Sequence, residues 1–142
     1  MSEHLTNIVV VAIIHNDEDK IFVARRAATK SFHPGMFEFI GGHLDPGETL
    51  EEGLKREIRE EISCEIVIEE LFDAFTYESE GMLKVELSYL CHLVAGEVPK
   101  LNPEDHSESQ WIGSDEIHKF GKEDEETDVL RKAFDILRRR KS

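Results

Sequence analysis

Cysteine is nearly missing from this chain: Cys64 and Cys91 are the only two among 142 residues. They are too few and too far apart for a disulfide framework or a zinc knuckle. Both sit in apolar surroundings and read as buried free thiols, so a reducing, cytoplasmic setting is the expectation. Long apolar runs are missing as well. The stretch Ile8-Val9-Val10-Val11-Ala12-Ile13-Ile14 is too short to span a bilayer. Lacking a basic flank and a small-residue cleavage site, it does not read as a secretory signal either. Positive charge is scarce: 17 Lys and Arg stand against 31 Asp and Glu, a formal net charge of −14. A nucleic acid polymer is gripped by a positive surface that displaces counterions, so neither such a polymer nor a membrane is the expected partner. No repeat, low-complexity stretch or Pro/Ser-rich linker divides the chain. Its length suits one domain, residues 1–142, working as a monomer or homodimer.

Much of the acidic excess is solvated surface that serves solubility. The rest leans toward metal chemistry, because divalent cations bridge acidic side chains to the anionic oxygens of a small polyphosphate.

The apolar pattern outlines the elements. Residues 8–14 read as a buried β-branched strand, 15–20 as a polar turn, and Ile21-Phe22-Val23-Ala24 as the return strand of a hairpin. Residues 27–36 read as a loop, followed by a short strand over 37–40. Gly41-Gly42 and Asp45-Pro46-Gly47 then break the pattern. Thr49, with Glu52 three residues on, is a capping box that opens a helix. Leu50, Leu54, Ile58 and Ile62 form its apolar stripe. Residues 66–68, 71–77 and 82–95 read as strands, with Leu83, Val85, Leu87 and Tyr89 as the inward face of the last. A closing helix over 129–140 turns Leu130, Phe134 and Leu137 inward, and its basic end, Arg138 to Lys141, suits the helix dipole. The class is α+β, a mixed β-sheet with helices.

The central helix contains a conflict. At roughly 100° per residue, Glu57 and Glu61 fall within about 20° of Leu50, on the edge of the apolar stripe, with Glu60 about 80° away. Clustering ionised carboxylates on a buried edge is costly unless something compensates. A divalent cation does so directly. Pairing with Lys55, Arg56 and Arg59 on a solvated face is the plain alternative.

The residues before the helix decide between them. Gly42, five residues, Glu48, seven residues, and then Arg56-Glu57-Ile58-Arg59-Glu60-Glu61 resembles the Nudix box, with seven specified positions at fixed offsets. Ser63 stands where the family has a helix-ending glycine. Ile21 to Ala28 and Phe37-Glu38-Phe39-Ile40-Gly41-Gly42 are similar to the MutT branch, with Ile40 in place of its proline. The resemblance implies an α/β/α sandwich and Mg²⁺-dependent hydrolysis, with Mn²⁺ as a substitute. The reaction it implies cleaves a (deoxy)nucleoside triphosphate to monophosphate and pyrophosphate.

Roles follow by position. The resemblance makes Gly42, Glu57, Glu60 and Glu61 the metal ligands, Glu57 the base, and Arg56 the residue that orients it. Glu48 braces the loop–helix junction or touches metal through water. Arg26 is the candidate for contacting the nucleotide, with a strand-edge charge as the alternative for both Arg25 and Arg26. Glu38 and Phe39 are candidates for the nucleobase pocket, and Phe39 is equally a core residue. Glu108, three residues before Trp111, is a candidate further metal ligand. The seven histidines show no ligand spacing; His106 and His118 read as surface residues, and His33 as a flank of the substrate loop. Two other functions stand beside the leading one. One is hydrolysis of a nucleotide sugar, ADP-ribose or dinucleoside polyphosphate, against which Ser79 and Glu80 weigh mildly. The other is a Nudix-shaped binding domain without catalysis, against which the retained acids weigh more. Base preference is not legible at this level.

Overall fold

The computed structural model describes residues 6–30, 35–120 and 124–141; His33 lies outside them. In chain order the elements are β1 (Thr6–Ile14), β2 (Ile21–Arg26), β3 (Phe37–Glu38), β4 (Ile40–His43), α1 (Leu50–Ile62), β5 (Ile66–Ser79), β6 (Met82–Leu93), β7 (His106–Ile112), a 3-10 stretch (Ser114–Phe120) and α2 (Glu125–Arg140). Two sheets carry them, one ordered β4-β1-β6-β5 and the other β3-β2-β7. The larger is mixed: β1 runs parallel to β6 and antiparallel to β4. No helix among the described residues is long and apolar enough to cross a membrane.

Strand alternation explains the layering. On β1, Val9, Val11 and Ile13 join one core cluster with Val129, Leu130, Phe134 and Leu137 of α2. The intervening Val10, Ala12 and Ile14 join a second cluster with Leu54, Ile58 and Ile62 of α1. A strand covered on both faces reads as an unbroken apolar run, which is what residues 8–14 are. β2 divides in the same way, with Ile21 and Val23 on one side and Phe22 and Ala24 on the other. The two helices thus cover opposite faces, giving the α/β/α sandwich that the class predicts.

Several local expectations are corrected. β1 and β2 are not a paired hairpin: they belong to different sheets and meet only at the bridge His15↔Ile21. Gly41 and Gly42 do not break the strand but lie within β4, opposite Val11 and Val10. A Cβ on Gly41 would come within 2.1 Å of the Val10 carbonyl oxygen, so the glycine permits a close backbone approach. The strands expected at 66–68 and 71–77 are one strand, β5, interrupted by register shifts at Ile68/Glu70 and Leu71/Asp73. On β6 the expected face is inward from Leu87 on, where Leu87 and Tyr89 pack into the α1 cluster, while Leu83 at its start is exposed. The opposite face is covered too: Leu90 joins the α2 cluster, and Glu86 and Ser88 beside it are buried. β7 carries no apolar alternation to announce it, because it is an edge strand paired with β2 alone.

α1 begins as its capping signals require, the Thr49 hydroxyl accepting from the Glu52 N–H at 3.2 Å. It ends at Ser63 in the left-handed region, φ 56° and ψ 38°, where the Ser63 N–H reaches the Arg59 carbonyl. An L side chain in that conformation carries a cost that glycine avoids. Ser63→Gly is therefore expected to stabilise the fold by roughly 0.5–1 kcal/mol. Urea unfolding should show a higher midpoint at unchanged slope, and an unchanged or lower midpoint would contradict the strained cap.

Candidate active site

Arg56 organises the loop–helix junction. Its guanidinium donates to both Glu48 oxygens at 2.7 and 3.0 Å, to Glu57 at 3.1 Å, to Glu60 at 3.1 Å and to the His43 carbonyl at 3.0 Å. Five acceptors for one planar fork use the geometry that separates arginine from lysine. Glu48 also accepts from the Asp45 N–H at 2.7 Å, so it closes the turn after β4 onto α1. That is the bracing position anticipated for it. These bonds, the Arg56 bond first, hold the Glu48 carboxyl below its usual range.

Glu57 and Glu61 lie one turn apart on the face of α1 nearest β4. An added Cβ on Gly42 would meet the Glu57 carboxyl at 2.6 Å, so a side chain there would push the end of Glu57 out of its place against the strand. Burial raises the Glu57 carboxyl above its ordinary value, with Arg56 pulling the other way. Glu61 is affected far more: burial first, and then the charges of Glu57, Glu38 and Asp105, push it up to about 9. One of its oxygens is buried without a hydrogen-bond partner. Glu60 is the exception in the expected set: its side chain is 58% exposed and turned outward to Arg56.

Gly42, Glu57 and Glu61 line one part of a cavity of about 690 Å³. Arg26, Glu38 and Phe39 line it too, so the structure gathers these sequence candidates around one space. Arg26 Nη1 reaches both Glu38 oxygens at 3.2 and 3.3 Å. Phe39 is 4% exposed and belongs to the core, its ring 4.9 Å from that of Phe120. Glu108 is not brought to the cavity. It sits on β7 directly across from Arg25 and pairs with it at 3.0 Å, both side chains about half exposed.

His106 corrects a second expectation. It is 2% exposed, not on the surface, and its Nε2 lies 2.8 Å from Glu38; His118 is exposed as anticipated. Four further cavity residues were not candidates from the sequence. Phe75 and Tyr77 of β5, with ring centres 5.8 Å apart, line it with Glu86 of β6 and Glu126 of α2. Glu86 is 4% exposed and one of its oxygens has no partner. Burial, followed by the charge of Glu126 and a hydrogen bond with it, raises the Glu86 carboxyl well above its ordinary value. The signal that could have flagged Glu86 is a lone acid in an apolar strand, but in sequence that reads as an outward-facing residue.

Comparison with known proteins places the family and the fold. The chain matches the NUDIX domain family over residues 5–134. It is 31% identical over 118 residues to an 8-oxo-dGTP diphosphatase of Haemophilus influenzae, covering 83% of this chain and 71% of that one. It is 33% identical over 116 residues to a CTP pyrophosphohydrolase of Escherichia coli, covering 79% of each. Of one further Nudix relative, the chain spans 61% of the length. A MutT protein from Methanosarcina mazei has the same fold, with a TM-score of 0.76 at 23% identity, covering 100% of this chain and 99% of that one. Hydrolases of this family generally use a divalent metal and act on nucleotides with diphosphate linkages, and this chain is a member of the Nudix hydrolase family, in its MutT-like branch.

Proposed function

We propose that the chain hydrolyses nucleoside triphosphates to monophosphate and pyrophosphate with Mg²⁺, or Mn²⁺ in its place, held by Gly42, Glu57, Glu60 and Glu61. The observation that carries this reading is Glu61: a carboxyl buried beside three like charges, with one oxygen lacking any protein partner. A hard cation with oxygen ligands relieves that crowding, so the residues present fit one. Among the described cavity residues, ten are Asp or Glu and three are Lys or Arg. A triphosphate would meet net repulsion there without added positive charge. When bound, the ion supplies charge neutralisation for the polyphosphate and acidifies an attacking water.

The chain's own residues do the rest. Glu57 takes the proton from the water, its basicity raised by burial. Arg56 fixes the angle of that carboxylate from one side. Glu60, exposed and paired with Arg56, would join a bound cation by exchanging that pair for the ion. Arg26, aligned by Glu38, and Lys30, held by Asp105 at 2.8 Å, supply the cavity's cationic contacts for phosphate oxygens. The rings of Phe75 and Tyr77 offer a stacking surface for the base.

Glu86 and Glu126 sharpen the substrate class. One proton shared by two carboxyls gives a donor beside acceptors. Cytosine, adenine and guanine each present an exocyclic amine next to an acceptor, which this pair can satisfy; uracil has no amine. The reading therefore favours amine-bearing bases. A hydrogen bond to a charged or shared-proton group discriminates by about 1.5–3 kcal/mol.

Three outcomes follow. In a Mg²⁺-supported panel of NTPs, dNTPs, 8-oxo-dGTP, ADP-ribose and Ap4A, triphosphates should turn over to monophosphate and pyrophosphate. Glu57→Gln should lower kcat by roughly two or more orders of magnitude with the circular dichroism spectrum unchanged; an inert panel or an active Glu57→Gln chain would sink the assignment. For the metal-free protein, Glu61→Gln should raise the urea midpoint, by on the order of 1 kcal/mol, because it removes like-charge crowding. The same variant should need more Mg²⁺ for half-maximal activity, and a loss of stability would show that the Gly41 backbone bond to Glu61 outweighs the crowding. Last, CTP should exceed UTP in kcat/KM by about tenfold or more, and Glu86→Leu should bring that ratio toward one. A ratio near one in the parent chain would discard base reading by this pair while leaving the hydrolase assignment intact.

A further inference from the structure

Three side chains far apart in sequence converge at the ends of three neighbouring strands. His15 follows β1, Glu69 lies on β5 and His92 on β6, and the sheet order places β1, β6 and β5 side by side. His15 continues the face of β1 that carries Val9, Val11 and Ile13, and His92 the face of β6 that carries Glu86, Ser88 and Leu90. Glu69 occupies the bulge between Ile68↔Cys91 and Glu70↔Leu90, with no cross-strand partner of its own. Bulges re-aim side chains, and this one aims Glu69 between the two rings. Its Oε2 lies 2.6 Å from His15 Nε2 and 2.7 Å from His92 Nδ1, and the three ligand atoms all lie within 4.8 Å of one another.

We propose that His15, Glu69 and His92 form a binding site for a borderline transition-metal cation, Zn²⁺, Ni²⁺ or Cu²⁺, separate from the active site. The ligand set is the reason for the choice. Two imidazole nitrogens and one carboxylate oxygen suit these metals, whereas Mg²⁺ prefers oxygen alone. The atoms already converge, so replacing the hydrogens between them by an ion at about 2.0–2.2 Å from each ligand needs only a slight opening. The second Glu69 oxygen is held by Arg140 at 2.5 Å, an outer contact of the kind that fixes a carboxylate ligand's orientation. His15 and Glu69 are largely buried, and His92 is half exposed, which leaves an approach from solvent. The cleft that these residues line shares none of its described residues with the active-site cavity. An ion there would tie β1, β5 and β6 together beside the end of α2.

The same cleft is lined by Trp111, the only tryptophan in the chain, which supplies a reporter. Full-length protein, freed of metal and kept in excess Mg²⁺, is titrated with Cu²⁺ while Trp111 fluorescence is followed. The expected result is saturable quenching at one equivalent. Electron paramagnetic resonance of that complex should carry the signature of two imidazole nitrogens, and Zn²⁺ should raise the melting temperature. His92→Ala, at a half-exposed position, should fold normally and keep Mg²⁺-supported hydrolysis. It should weaken Cu²⁺ binding at least tenfold, reduce the nitrogen signature to one and abolish the Zn²⁺ effect. Glu57→Gln should leave all three readouts intact. Quenching that survives His92→Ala, disappears in Glu57→Gln, or lacks imidazole signals would overturn the proposal and leave the cluster as a hydrogen-bonded clamp on α2. Because the readouts are binding and stability, they stand or fall independently of the substrate assignment.

Discussion

Five acceptors around one guanidinium hold the active site together. Arg56 ties the turn after β4 to α1 through Glu48, fixes the loop backbone through the His43 carbonyl, and bonds Glu57 and Glu60. Without it, the carboxyls at this junction would repel one another with no counterion inside the fold. Its reach also has a limit, since no bond runs from Arg56 to Glu61. The acid left outside its reach is the one with the largest shift and a bare oxygen. The site is compensated on one side and deliberately incomplete on the other, and that asymmetry is where a cation gains most.

The glycines of β4 let this happen. α1 packs its apolar stripe on the sheet through Leu54, Ile58 and Ile62, which carries Glu57 and Glu61 against the strand. A side chain at Gly42 would displace the Glu57 carboxyl from its place against the strand. Core packing, acid burial and the missing Cβ are thus one constraint seen from three sides. The sheet continues it across the cavity, since the face of β1 and β6 that packs on α2 also carries Glu86 toward the rings of β5. The box acids reach the cavity from α1 past β4, while Glu86 and the rings of β5 line it on the sheet face that packs on α2.

Much of this was legible in the residue order because it is local. The Thr49 cap, the apolar stripe of α1, the β-branched run of β1 and the box spacing all depend on contacts within a few residues, and each appears as expected. The left-handed end of α1 at Ser63 was legible for the same reason. What failed was non-local. Alternation along β6 gives two faces but not that both meet a core, which the packing of α1 and α2 on opposite sides of the sheet decided. The polar composition of β7 hid a strand whose evidence is its pairing with β2. His106 looked like a surface residue because its partner, Glu38, is 68 positions away. Glu108 meets Arg25 directly across the sheet, a pairing that residue order does not announce.

By itself, the sequence determined the box helix, its acids and the chemistry that their spacing permits, because a helix converts spacing into direction without outside help. Only the tertiary structure decided which acids are buried, which one lacks a partner, and that Glu86 and Glu126 meet across the cavity. It also assembled His15, Glu69 and His92 from three strands, although no spacing among the histidines hinted at it. Burial and carboxyl crowding arise where separate elements pack, and the order of residues along one element does not contain that information.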